Sequence, residues 1–240
     1  MSDFDFEGVF DEDYLYFYEE MLTPERTAAE VEQIAELLGP REHVLDCPCG
    51  HGRISNALAG RGYGVTGIDQ SELFLERARA DAQARGVDVE YVHGDMRELP
   101  WRERFDGLVN WFTSFGYFDD ETNRGVLRQF HDALRPGGRL VLETQNPARL
   151  FRILLSAHLA ERGEDLMIDK TDINFETWQT ESERIIVRDG NVRRTHFTVR
   201  LYSYPELRDE LLRAGFAVVN PGVEPNFENR LIVVADRPTA

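Results

Sequence analysis

The sequence is poor in cysteine, in positive charge and in long apolar runs, and each shortage excludes something. Its two cysteines, Cys47 and Cys49, stand too close together to staple a fold, so no disulfide framework is expected and a reducing compartment fits. No apolar run has the length needed to span a bilayer. The opening Met1-Ser2-Asp3-Phe4-Asp5 is acidic where a secretion signal would be basic. A cytoplasmic location without a membrane partner is therefore expected. Lysine and arginine number 27 against 44 aspartates and glutamates, for a formal net charge of -17. Nucleic-acid affinity depends on neutralising phosphates with basic side chains, so nucleic acid is not expected as a partner and a small molecule is favoured. The absence of a fixed-period repeat or a low-complexity tract removes solenoid and linker architectures. Homo-oligomerisation is left open.

What is present suits one α/β domain with a modest insertion: 240 residues, 42% of them hydrophobic. The stretch Val44 to Ser55 reads as a short buried strand, a tight glycine turn and the first turn of a helix, the entry to a nucleotide pocket in an open α/β sheet. Gly50 and Gly52 lack a Cβ and let the backbone approach a ligand. Asp46, ahead of the turn, would repel a pyrophosphate but hold a ligand with a cationic amine. A nicotinamide dinucleotide also wants a third glycine where Ser55 stands. Cys47, Cys49 and His51 alternate along a tight turn without a fourth ligand, a poor metal cluster.

A doubly wound pattern follows: strand Val44 to Cys47, helix Arg53 to Arg61, strand Val65 to Asp69, helix Glu72 to Arg85, strand Val89 to His93, strand Phe105 to Trp111, helix Thr122 to Leu134 and strand Arg139 to Thr144. Ligands in such sheets bind beyond the carboxyl ends of the strands. Asp69 closes the second strand, where a carboxylate can accept from both hydroxyls of a ribose, and Gln70 follows it. Asp95 and Met96 follow the third, suited to an adenine amino group and its ring face. Asn110 and Phe112 flank the end of the fourth.

Before this core, Phe10 to Glu20 sets aromatics among acids, and Tyr14, Phe17 and Tyr18 share one face of a helix. Two readings stand: an amphipathic arm packed on the core, or a lid that brings tyrosines over the ligand. Thr23 and Pro24 then start a helix that ends near Gly39-Pro40, and Arg26 offers a fork for a carboxylate. After the fifth strand, a helix is expected over Arg149 to Glu161. Strands follow over Asp165 to Asp172, Asn174 to Arg188 and Asn191 to Leu201, the last two joined at Asp189-Gly190. The alternation of Thr195 to Leu201 supports a strand with two faces. These make a small antiparallel cap inserted between the fifth strand and the final helix, on which Trp178, His196, Arg200 and Tyr202 either line a pocket or pair across a solvated sheet.

Val44 to Gly52, Gly67-Ile68-Asp69, Gly94-Asp95-Met96, Phe105 to Asn110 and Leu134 to Gly138 together resemble the motif set of class I S-adenosylmethionine-dependent methyltransferases. Pro48 stands where that family usually has its first glycine. The segment Trp111 to Phe118 further resembles the small-molecule branch that includes N-methyltransferases of amino sugars and antibiotic intermediates. The resemblance implies a Rossmann-like seven-stranded sheet with its last strand antiparallel. It divides the chain into an arm and donor-binding core over residues 1–145, a cap over 146–202, and a helix and strand pair completing the core over 203–240. It implies S-adenosylmethionine as cofactor and S-adenosylhomocysteine as product. The expected cofactor contacts are Asp46, Cys49, Gly50, Gly52, Arg26, Asp69, Gln70, Asp95, Met96, Asn110 and Phe112. Around the acceptor stand Tyr14, Glu143, Asn146, Trp178, Arg200 and Tyr202, with Phe115, Tyr18 and His196 nearest the chemistry. Methyl transfer needs in-line alignment more than a base, with Glu143, His196 or solvent available to take a proton. An amine acceptor is preferred, with a hydroxyl or carboxylate as the alternative, or a protein that only binds the cofactor.

Overall fold

The computed structural model describes residues 4–153, 157–220 and 230–239. The arm begins with α1 (Phe6–Val9) and α2 (Glu12–Tyr18), followed by α3 (Pro24–Leu38). The core then alternates β1 (His43–Asp46), α4 (Arg53–Ala59), β2 (Gly64–Asp69), α5 (Glu72–Arg85), β3 (Val89–His93), β4 (Phe105–Asn110), α6 (Asp120–Ala133) and β5 (Leu134–Thr144). After α7 (Pro147–Ile153) come β6 (Ala157–Arg162), β7 (Asp165–Asn174), β8 (Gln179–Arg188) and β9 (Asn191–Arg200). The chain ends in α8 (Tyr204–Arg213), β10 (Ala217–Asn220) and β11 (Leu231–Asp236).

The helix starts follow the capping chemistry of the sequence. Thr23 accepts a hydrogen bond from the Arg26 backbone N–H with Pro24 at the first turn, and Ser71 and Asp119 cap α5 and α6 in the same way. Ser203 and Glu206 form a reciprocal capping box at α8. The main sheet has seven strands in the order β10-β11-β5-β4-β1-β2-β3. Strands β3, β2, β1, β4 and β5 run parallel, and β11 pairs antiparallel with both β5 and β10. The chain winds outward from β1 in both directions, so the crevice between the carboxyl ends of β1 and β4 is the topological switch point where ligands bind.

The cap is an antiparallel meander, β6-β7-β8-β9. Here the structure departs from the sequence reading, because the helix expected to Glu161 ends at Ile153 and Ala157–Arg162 is a strand. Its Ala, Leu, Glu and Arg favour helix, but Gly163 turns the chain at φ 65° and β6 pairs along its length with β7. Ladder pairing outweighs a propensity of tenths of a kcal/mol per residue.

The arm divides its aromatic face between two neighbours. Asp11 caps α2, which carries Tyr14, Phe17 and Tyr18. Phe17 packs with Met167 and Ile186 of the cap sheet, while Tyr14 turns toward the switch point. Arginines of the cap fasten the arm. Arg193 donates to the Gly8 carbonyl (2.7 Å), to Asp13 (2.9 Å) and to Asp11. Arg188 donates to Asp13, Arg162 to the Tyr16 carbonyl, and the Tyr16 hydroxyl to Asp165.

Candidate active site

The glycine turn after β1 is tied to both neighbouring strands. The Cys47 N–H donates to the Val109 carbonyl, and the Asn110 side-chain amide donates to the Cys47 carbonyl, so β4 holds one end. The Cys49 N–H donates to Ile68 O, and the Gly50 N–H to Asp69 Oδ2 (2.8 Å), so β2 holds the other. The peptide between Cys47 and Pro48 is cis. Gly50 has φ 53°, and a Cβ built there would meet only Phe74, at 4.0 Å, so its face toward the cavity is clear. Gly52 has a different duty. A Cβ there would lie 2.3 Å from Tyr91 Oη and 2.6 Å from Ala78 Cβ, so this glycine permits α4 to pack against α5.

Above the turn lies a cavity of about 930 Å³, the open space at its mouth included. Asp46, Cys49, Gly50, Asp69, Gln70, Met96, Phe112 and Tyr14, eight of the positions named from the sequence, line it. Asp46 is 2% exposed and accepts from Ser55 Oγ at 2.6 Å. Burial is the chief cause that lifts its pKa to about 7. Asp69 accepts from the backbone N–H groups of Gly50 and Ser71. Burial lifts it to about 6 against those hydrogen bonds.

Arg53 also lines the cavity, a residue the sequence reading passed over although it directly follows the glycine turn. It contacts the fully buried Glu30 at 2.5 Å. That contact is made by Nη1, and the buried Nη2 has no hydrogen-bond partner among the described residues. Glu30 also receives Arg26 and Arg230. Burial works to raise the Glu30 pKa, but the Arg53 and Arg230 charges hold it below the usual value. Arg26, expected to hold a carboxylate, is instead bonded to Glu30, and its guanidinium stands over Phe112, as does that of Arg53. His51 faces the cavity too, its pKa lowered to about 4 chiefly by burial, so its imidazole is neutral at pH 7.

Other expected residues lie elsewhere. Asp95 spends its carboxylate on the Arg97 backbone N–H and guanidinium, while its neighbours Gly94 and Met96 form the wall. Asn110 is buried and braces the turn. Glu143 is also buried. It accepts from the Thr113 N–H and lies 3.6 Å from Arg230, beneath a turn in which Phe112 and Thr113 both have positive φ. Burial raises its pKa, and it braces that turn instead of facing an acceptor. Phe115 is 1% exposed and packs with Tyr202 in the main core, so neither reaches the cavity. Tyr18 stacks on Tyr14 with centroids 4.2 Å apart and its hydroxyl meets Arg184, which places it behind the wall.

The cap residues are the farthest displaced. His196 faces solvent on the edge strand β9, 4.0 Å from Glu183 and 75% exposed in its side chain, because the alternation of that strand turns Thr195 inward. Arg200 joins Asp120 and Glu206 and covers Tyr202. Trp178 lies in the β7–β8 turn against Phe151 and Phe175. Asn146 accepts from the Ala148 N–H at the start of α7.

Residues 44–138 match the family described as a methyltransferase domain. That segment carries the likeness of this chain's core to methyltransferase domains. The likeness extends to a ubiquinone biosynthesis O-methyltransferase of Pseudomonas syringae pv. tomato, 35% identical over 131 residues, or 52% of this chain and 53% of that protein. The chain spans about half the length of the curated relatives it matches. Among solved structures, an S-adenosylmethionine-dependent methyltransferase of Clostridium acetobutylicum shares the fold with a TM-score of 0.75 at 14% identity, covering 94% of this chain and 98% of that one. An amino pentose methyltransferase of Micromonospora echinaspora, solved with bound S-adenosylmethionine, aligns with a TM-score of 0.70 at 20% identity over 96% and 99% of the two chains. The matched segment runs from the strand carrying Asp46 to the turn before Arg139 and so contains the whole glycine-turn floor of the cavity.

Proposed function

We propose that this chain transfers the methyl group of S-adenosylmethionine to a small-molecule acceptor. The observation that carries the reading is the presence of Asp46 and Arg53 on one cavity wall, a carboxylate and a guanidinium on either side of the glycine turn. Together they complement the amine and carboxylate of an amino-acid group. With Nη1 against Glu30, the buried Nη2 of Arg53 is the donor left for that carboxylate, and ionised Asp46 balances the amine. Asp69 lies one strand away for the ribose hydroxyls, and Ile68 and Met96 offer apolar surface for the base. A dinucleotide fits poorly, since its diphosphate would lie against Asp46.

When bound, the cofactor supplies a methyl group already activated by a sulfonium. The protein's own task is to align and to exclude water. The backbone of the glycine turn, braced from β2 and β4, fixes the donor end, and the aromatic arm covers it. Such positioning can supply roughly 7–11 kcal/mol of the barrier without covalent help. Replacing Asp69 with Ala is expected to weaken S-adenosylmethionine binding by about 2 kcal/mol, since charge-assisted hydrogen bonds are lost. Unchanged affinity by calorimetry would remove Asp69 from the site.

A further inference from the structure

The acceptor side of the cavity differs chemically from its floor. It is walled by Phe6, Phe10, Tyr14, Phe112, Tyr117 and Phe118, drawn from the arm and from the segment after β4. The rings interlock, with Phe10 5.2 Å from Tyr14 and 5.7 Å from Tyr117 between centroids. Among the described residues, the charged side chains lining the cavity are Asp46, Arg53 and Asp69. The reading above assigns all three to the donor. The other polar side chains there are His51, Gln70, Ser114, the Cys49 thiol, the Trp111 indole N–H and the hydroxyls of Tyr14 and Tyr117.

Two consequences follow for an acceptor. A polyhydroxyl sugar would leave water for a wall that is mostly aromatic and offers it few hydrogen-bonding partners, at a desolvation cost. A flat ring would stack against aromatic faces and edges. Outside Asp46 and Asp69, which the donor reading uses, the cavity offers no strong base, because the neutral His51 imidazole binds a proton only near pH 4. An aliphatic amine with the basicity of a lysine is free of its proton in fewer than about one molecule in a thousand at pH 7, and no group outside the donor set would raise that share.

Resting on the donor reading, we propose that the acceptor is a flat aromatic compound whose nucleophilic O–H or ring N–H ionises unaided near neutral pH. Its proton passes to water before the reaction. The oxygen or nitrogen lone pair then forms the bond to the methyl carbon as the carbon–sulfur bond breaks, with that electron pair staying on sulfur. The products are a neutral methylated ring and a neutral thioether, and no oxidant or further reactant is needed.

The test uses the full chain with radiolabelled S-adenosylmethionine. Donor binding is first measured by calorimetry, and transfer is then followed to 4-nitrophenol and theophylline, as an acidic phenol and an acidic ring N–H, and to glucosamine and ethanolamine. The expected result is labelled product from the aromatic probes alone. In Tyr117→Ala and in Phe6→Ala, KM for the aromatic probe should rise at least tenfold while the donor Kd stays within twofold. Donor binding with label on glucosamine or ethanolamine and none on the aromatics overturns the proposal, and so does donor binding with no label on either aromatic probe. Loss of donor binding in the wild-type chain would instead overturn the donor reading, and this proposal with it.

Discussion

Asp46 shows how one residue can be legible in sequence and still be redefined by its surroundings. Its place ahead of the glycine turn marks it as an anchor for a cationic ligand. Burial at 2% exposure adds the feature that sets its chemistry, a folded-state pKa of about 7 against an ordinary 3.8. Between about pH 4 and 7 the folded protein keeps a proton that the unfolded chain has released. The stability contributed by this group is therefore complete at the acid end of the window and is lost as pH rises through about 7. Asp69, held at about 6, acts with the same sign over a narrower range. Asp46→Asn should flatten the fall in stability between pH 5 and about 7.5 in denaturant titrations. The amine of a bound donor favours the ionised carboxylate, so wild-type affinity should climb over the same interval. An equally steep stability slope in Asp46→Asn would contradict this account.

Arg53 is the complementary case, since its position after the turn is visible in sequence but its importance depends on Glu30 and Phe112, which come from other elements. Arg26 is its mirror image. A fork at the start of α3 is legible, yet Glu30 one helical turn later captures it.

At the scale of elements, the α4–α5 contact is set by Gly52. Its φ of 79° and the absence of a Cβ allow Tyr91 and Ala78 to close over it. Gly52→Ala is expected to destabilise the fold by about 2–4 kcal/mol in urea titrations, through overpacking and a disfavoured backbone conformation. A variant as stable as the parent would show that α4 can shift away from α5 without loss. The cap illustrates the opposite relation between sequence and structure. Its hairpins at Asp189-Gly190 and its two-faced strands are written in local alternation, but β6 is not, because its residues favour helix and only pairing with β7 decides otherwise. His196 follows the same logic. The alternation correctly gives β9 two faces, but which face meets protein is decided by the arm packed on Thr195, whose hydroxyl donates to the Gly8 carbonyl.

On the scale of the whole molecule, a net charge of -17 is distributed so that arginines of the cap gather the acids of the arm. These ion pairs are partly exposed, so salt should weaken them, while the same salt relieves the self-repulsion of an acidic chain. Raising the ionic strength from about 0.05 to 0.5 M is thus expected to speed amide exchange in residues 6–18 several-fold without speeding it in β4 and β5. Uniform exchange changes across the chain would show that the arm is held by packing instead of charge.

The sequence by itself determined the parallel core, the glycine turn, the acids at the ends of β1 and β2 and the capped helices. These are local properties, set by side-chain period, turn chemistry and positions only a few residues apart. The tertiary structure decided which aromatics face the cavity, that Phe115 and Tyr202 belong to the core, and that Glu143 braces a turn. It also decided that the cap's arginines hold the arm, as Arg193 holds Gly8 across 185 positions of sequence. Those outcomes depend on which distant surfaces meet, and on the need of every buried charge and donor for a partner, which no local pattern encodes.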